Sequence, residues 1–231
     1  MTALIWLSLA WAGPVEDGAT AWEAGDIEGA LEAWKPSADG GWGSGPVKFD
    51  VGNAYYRRGD LPRAIAYWRA AGDYRPRTSG VSHNLALARS DLSGVPTPVG
   101  APMLWMRILT PGEVGLLGLL SAMLGSAGLV ARRRRKEGLR TPWVGAQLLG
   151  IALVALSSWG WWVQTSMPIA VVVDAPAVAR ATPDIQAEKR LTLQPGAEVA
   201  VVKEMRDFLL IETGEGDRGW VPDGAVLRVP R

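Results

Sequence analysis

Apolar and polar positions change their period twice along the chain. Before residue 93 the apolar residues recur at helical spacing, interrupted by Gly-Asp and Gly-rich breaks. In the middle, Val114 to Ala131 and Trp143 to Val163 form uncharged runs of 18 and 21 residues, each long enough to cross a hydrocarbon core of about 30 Å as a helix. From Ile169 onward the pattern shifts to short β-branched runs separated by turn residues, among them Pro195-Gly196 and the polar stretch Thr213 to Arg218. Such runs predict a small all-β barrel. The expected fold class is therefore a multi-domain membrane protein with an α-helical domain, two transmembrane helices and a C-terminal β-barrel.

Charge placement orients the spans. The segment between them carries Arg132, Arg133, Arg134, Arg135, Lys136 and Arg140 against Glu137 alone, which predicts a cytoplasmic loop over 132–141 and places both flanking regions outside. The preceding hundred residues must then be exported. Ala3 to Ala12 reads as the apolar core of a signal peptide over 1–12, with Ala10-Trp11-Ala12 as its cleavage site. The spans are expected at 112–131 and 142–164, packed as a hairpin through Gly118, Ala122 and Ser126 on one helix and Ala146 and Gly150 on the other. Trp105, Trp143, Trp159, Trp161 and Trp162 stand near the membrane interfaces, where an indole has an apolar face and a wet N–H.

The helical region at 13–92 repeats. Gly25 to Trp34 aligns without a gap on Gly59 to Trp68, an offset of 34 residues, and the same offset pairs Gly18 with Gly52, Trp22 with Tyr56, Asp26 with Asp60 and Ala30 with Ala64. That is the tetratricopeptide period. Gly52 and Ala64 are expected to let two antiparallel helices approach, with Tyr55 and Trp68 filling the space between them. Gly59-Asp60 should turn the chain and cap the second helix, and Ser79 to Leu92 should form a covering helix. Residues 93–111, with four prolines, read as a tether.

Composition narrows the chemistry. The 231 residues hold 24 Lys+Arg and 23 Asp+Glu, a single His and no Cys. A net charge of +1 gives no footprint for nucleic acid. Thiol chemistry and thiolate metal sites are excluded, and one His cannot build an imidazole cluster. The Gly-rich stretch from Gly40 to Gly45 lacks the Lys-Ser/Thr of a phosphate loop. No enzyme activity, cofactor or metal is expected.

The succession Gly52, Tyr55, Gly59, Ala64, Trp68, Ala71 and Pro76 resembles a tetratricopeptide motif. In that family the first helices line a concave groove for an extended peptide. The resemblance implies partner-binding positions at Trp22, Phe49, Asn53, Tyr56, Arg57 and His83. At 168–231, Val178 to Pro183, Leu193 to Val199 and Gly219-Trp220-Val221 resemble in order the elements of a bacterial SH3-type domain, which implies a groove around Arg180, Phe208 and Trp220. The full order of signal peptide, repeats, basic-looped hairpin and SH3-like domain resembles the BatE proteins of the Bat (Bacteroides aerotolerance) family. It implies a scaffold in the bacterial inner membrane with two periplasmic domains, working beside other Bat-type membrane proteins in an envelope or stress-related complex. The alternative is a wall anchor that binds peptidoglycan through the SH3-like domain.

Overall fold

The computed structural model describes residues 2–40, 45–74, 79–92, 99, 108–135, 141–166 and 168–230. Among the described residues, seven helices precede a seven-stranded antiparallel sheet. The helices are α1 (Thr2–Glu23), α2 (Ile27–Asp39), α3 (Gly45–Arg57), α4 (Leu61–Tyr74), α5 (Ser79–Asp91), α6 (Pro111–Arg135) and α7 (Thr141–Ser166). The strands are β1 (Ile169–Val172), β2 (Ala177–Arg180), β3 (Lys189–Leu193), β4 (Glu198–Met205), β5 (Phe208–Glu212), β6 (Arg218–Pro222) and β7 (Val226–Arg228). Two compact units result: Met1–Gly100 together with Met167–Arg231, and Ala101–Ser166.

The 34-residue period of the sequence is a period of the packing. In the pair α1–α2, a Cβ built on Gly18 would lie 2.3 Å from the Trp34 indole, and in the pair α3–α4 one built on Gly52 would lie 2.4 Å from Trp68. Only glycine leaves room for either ring. Each indole also meets an aromatic residue of the first helix at the same tilt, Trp22 on Trp34 at 6.0 Å and 42° and Tyr56 on Trp68 at 5.5 Å and 42°. The turns repeat as well. Gly25 and Gly59 adopt φ of 79° and 83°, where a β-carbon is disfavoured. The Asp26 and Asp60 carboxylates then accept hydrogen bonds from the Gly29 and Arg63 amides, capping α2 and α4. Helix α1 runs through the expected cleavage position and contains Pro14.

The sheet shares a core with the repeats. Val171 and Val229 are buried in the same cluster as Ile65, Trp68 and Leu85, with Ile169, Leu92 and Leu227 packed beside it. Polar contacts frame this seam. Arg63 reaches Asp174 at 2.6 Å, and Arg89 donates through Nε to Glu198 Oε1 at 2.9 Å. Arg69 Nε stands 3.8 Å from the other Glu198 oxygen. Glu198 is 2% exposed, so its charge depends on these guanidinium groups for compensation. Gly196 turns at φ 90° directly against Leu92, where a β-carbon would collide at 2.3 Å. The sheet order is β3-β2-β6-β5-β4-β1-β7, and its inward side chains, among them Val199, Val201, Leu209, Ile211 and Val221, form a second core.

In the other unit, α6 and α7 lie side by side. Thr110 accepts from the Glu113 amide while Glu113 accepts from the Thr110 amide, a reciprocal cap with Pro111 at the first helical position. Pro111 therefore belongs to the helix, not to the tether. Hypothetical β-carbons on Gly118 and Gly150 would fall within 3.0 Å of the opposite helix. The seam continues through Gly125 and Gly128 against Trp143 and Gln147, whereas Ser126, expected in the contact, is exposed. The reason is periodicity: contact positions advance by alternating threes and fours, so a strict step of four leaves the facing surface within two turns. The remaining surface, including Leu116, Leu120, Leu124, Leu148 and Ile151, is exposed and apolar, and both helices are long and apolar enough to cross a membrane.

The unit formed by the repeats and the sheet yields two predictions. Glu198→Ala leaves Arg69 and Arg89 facing each other without their carboxylate and should lower the unit's stability by about 3 kcal/mol, read as a drop in thermal midpoint in detergent. The second concerns pH. Burial depresses the Lys48 ammonium from 10.5 to about 8, against the opposing pull of Asp39 and Asp73. Burial, followed by its contact with Asp39, raises the Tyr67 hydroxyl above its usual range. The unfolded chain binds the Lys48 proton more tightly, so stability should rise between about pH 8 and 10.5. The folded chain holds the Tyr67 proton more tightly, so that contribution is lost as pH rises beyond 10. Denaturation midpoints across this window should show an alkaline maximum; Lys48→Met should remove the rising limb and Tyr67→Phe should soften the falling one.

Candidate partner-binding surfaces

The first helices α1, α3 and α5 line an open groove whose floor is Trp68. A cavity of about 220 Å³ is bounded by Trp22, Asn53, Tyr56, Arg57, Trp68, Asn84 and Leu87. Asn53 is held at its centre. Its Oδ1 accepts from Trp68 Nε1 at 3.0 Å and from Asn84 Nδ2 at 3.1 Å, which turns its own Nδ2 toward donation. The Arg57 guanidinium lies 4.7 Å over the Trp22 ring and fixes the lip of the groove by cation–π attraction. Leu87, 41% exposed, closes the opposite lip. The arrangement combines aromatic walls, amide donors and one cation, suited to a segment that inserts an apolar side chain while offering carbonyl or carboxylate oxygens.

Of the six expected groove positions, Trp22, Asn53, Tyr56 and Arg57 meet around this cavity, and Phe49 and His83 do not. Phe49 packs under α5, where its ring would touch a β-carbon on Gly80 at 3.5 Å, and His83 is exposed on α5. Trp68, Asn84 and Leu87 complete the cavity. Leu87 stands 34 residues after Asn53, so a second application of the repeat offset points to it. Asn84 falls outside that register.

On the sheet, Arg180 pairs with Trp220 across β2 and β6. Phe208, opposite Pro222 on β5, shares the outward face with Leu210, the partner of Trp220. Arg180 also donates to the Ala187 carbonyl at 2.7 Å, fixing the loop beside it. Of the basic segment, Arg132 to Arg135 form the last turn of α6, and Lys136 and Arg140 lie outside the described residues. Among the described residues, no group of His, Asp or Glu could hold a metal ion.

Comparison with protein families, curated proteins and solved structures finds no match to this chain.

Asn53→Ala would strip the acceptor from the Trp68 indole and from Asn84 together. It should cost about 1–3 kcal/mol of stability, the penalty for an orphaned, largely buried donor, measured by thermal unfolding in detergent. Asn53→Asp, which keeps the acceptor, should recover most of it.

Proposed function

We propose that the chain is a non-enzymatic, two-pass membrane scaffold of the bacterial inner membrane. In this reading it displays a tetratricopeptide groove and an SH3-like barrel in the periplasm and serves a Bat-type envelope or stress-related complex. The observation that carries it is the groove, in which three successive first helices bring aromatic, amide and guanidinium groups around one cavity. A surface of this composition matches those where binding energy concentrates.

Topology supports the same reading. The repeats and the barrel pack on one core, so they occupy the same compartment, and the intervening chain must cross any membrane an even number of times. Two apolar helices satisfy that requirement. The Arg run at the end of α6 supports a cytoplasmic connection, with both folded modules on the far side. Export calls for a signal sequence, and Pro14 suits cleavage before Gly13: it would then stand in the first helical turn, where no hydrogen bond is lost.

The test is a pair of exposed changes on the groove lips, Arg57→Glu with Leu87→Ser. The variant should keep its unfolding free energy within about 1 kcal/mol of wild type, as exposed positions do, and membrane proteins that co-purify with the full chain should be lost. Undiminished recovery would refute the groove as the docking site. Retention on purified peptidoglycan that Trp220→Ala abolishes would favour a wall anchor in its place.

A further inference from the structure

The barrel carries a second surface that neither the groove nor the core uses. Strand registers align one residue from each of five adjacent strands: Lys189 opposite Arg180 beside a register shift at Ala179/Arg180, Arg180 opposite Trp220, Trp220 opposite Leu210, and Leu210 opposite Lys203 beside a second shift at Val201/Lys203. Directly opposed residues share a face of the sheet. The outside of β3-β2-β6-β5-β4 therefore presents a transverse row of Lys, Arg, Trp, Leu and Lys. Trp220 and Leu210 are half-buried at its centre, and both lysines are exposed at its ends.

The cations of this row are not neutralised within the barrel. Among the described residues neither Lys189 nor Lys203 has an ion-pair partner, and Arg180 spends one N–H on the Ala187 carbonyl. The carboxylates on the same strands are occupied elsewhere, Glu212 by Arg218 and Glu204 by Arg228. Asp184, in the loop beside Arg180, accepts from the Gln186 amide. Positive charge brackets an apolar centre.

We propose that this row docks an extended acidic segment of a partner protein, which covers Trp220 and Leu210 with an apolar side chain and places carboxylates on the cations at either side. Spacing defines the segment. Adjacent strands lie about 4.8 Å apart, which puts Lys189 and Lys203 each about 10 Å from Trp220 along the row, and a peptide in the extended polyproline II conformation advances about 3.1 Å per residue and brings every third side chain back to the same side. Carboxylates three residues before and three after the apolar residue therefore fall on the two ends, with Arg180 assisting one of them. A lipid surface fits less well: Trp220 lies in the sheet between its neighbours, half-buried, and can be covered but does not project as an inserting wedge.

The test uses the full chain in nanodiscs of neutral lipid and a labelled peptide, Glu-Ser-Ser-Leu-Ser-Ser-Glu, followed by fluorescence anisotropy. The acidic peptide should bind, and added salt should weaken it. A peptide with Lys in place of both Glu should not bind, and one with both Glu moved next to Leu should bind less. Lys189→Glu with Lys203→Glu, two exposed substitutions, should weaken binding about tenfold, in keeping with two rim ion pairs. Leu210→Ser should weaken it with the salt dependence intact. Equal binding of the acidic and basic peptides, or indifference to the double charge reversal, would overturn the proposal. So would an effect of these variants seen only with phosphatidylglycerol nanodiscs or purified peptidoglycan, which would assign the row to lipid or to wall.

Discussion

Two indoles fill space that only glycine leaves open, and much of the helical architecture depends on that fit. Trp34 over Gly18 and Trp68 over Gly52 set the distance between the helices of each pair. The same rings then hold Trp22 and Tyr56 at a fixed tilt, and Trp68 anchors Asn53 through its N–H. The groove is in this sense the far side of the core, since the ring that closes the helix pair is also the cavity floor. Adding one methyl group to Gly52 would displace the indole, and with it the amide that organises the binding surface.

The second organising constraint is electrostatic. Glu198 is almost completely removed from water at the start of β4 and answers to arginines on α4 and α5. A buried carboxylate of this kind adds little net stability over an apolar packing of the same volume, but it penalises every arrangement in which its partners are elsewhere. The seam between repeats and sheet is thereby fixed in one register, with Gly196 against Leu92 as its steric counterpart.

How much of this was legible in the sequence depends on whether each contact is encoded locally. The 34-residue period carries its own caps and turns, so the Asp26 and Asp60 caps and the left-handed Gly25 and Gly59 could be read from spacing alone. The strand-like runs and their turns at Gly196 and Gly216 were legible for the same reason. Long-range pairings were not. Arg89 and Glu198 stand 109 residues apart, with two apolar runs between them, and nothing in either neighbourhood marks them as partners. The groove falls between these cases: positions related by the repeat were accessible, whereas Asn84 joins Asn53 only because α5 packs on α3. Phe49, which the family resemblance places on the groove, instead packs its ring against Gly80 of α5.

The common core also sets a timetable for biosynthesis. Helices α4 and α5 leave the ribosome early, but the residues that cover Ile65 and Leu92, among them Val171 and Val229, come from the other side of the two apolar helices, the last of them near the end of the chain. At roughly 5–20 residues per second, synthesis needs on the order of ten seconds to travel from Leu92 to Val229. Through that interval the helical half waits with an apolar flank open and two arginines unanswered. A chain interrupted before β7 never conceals that flank, so an incomplete product keeps apolar surface open where the finished chain buries it.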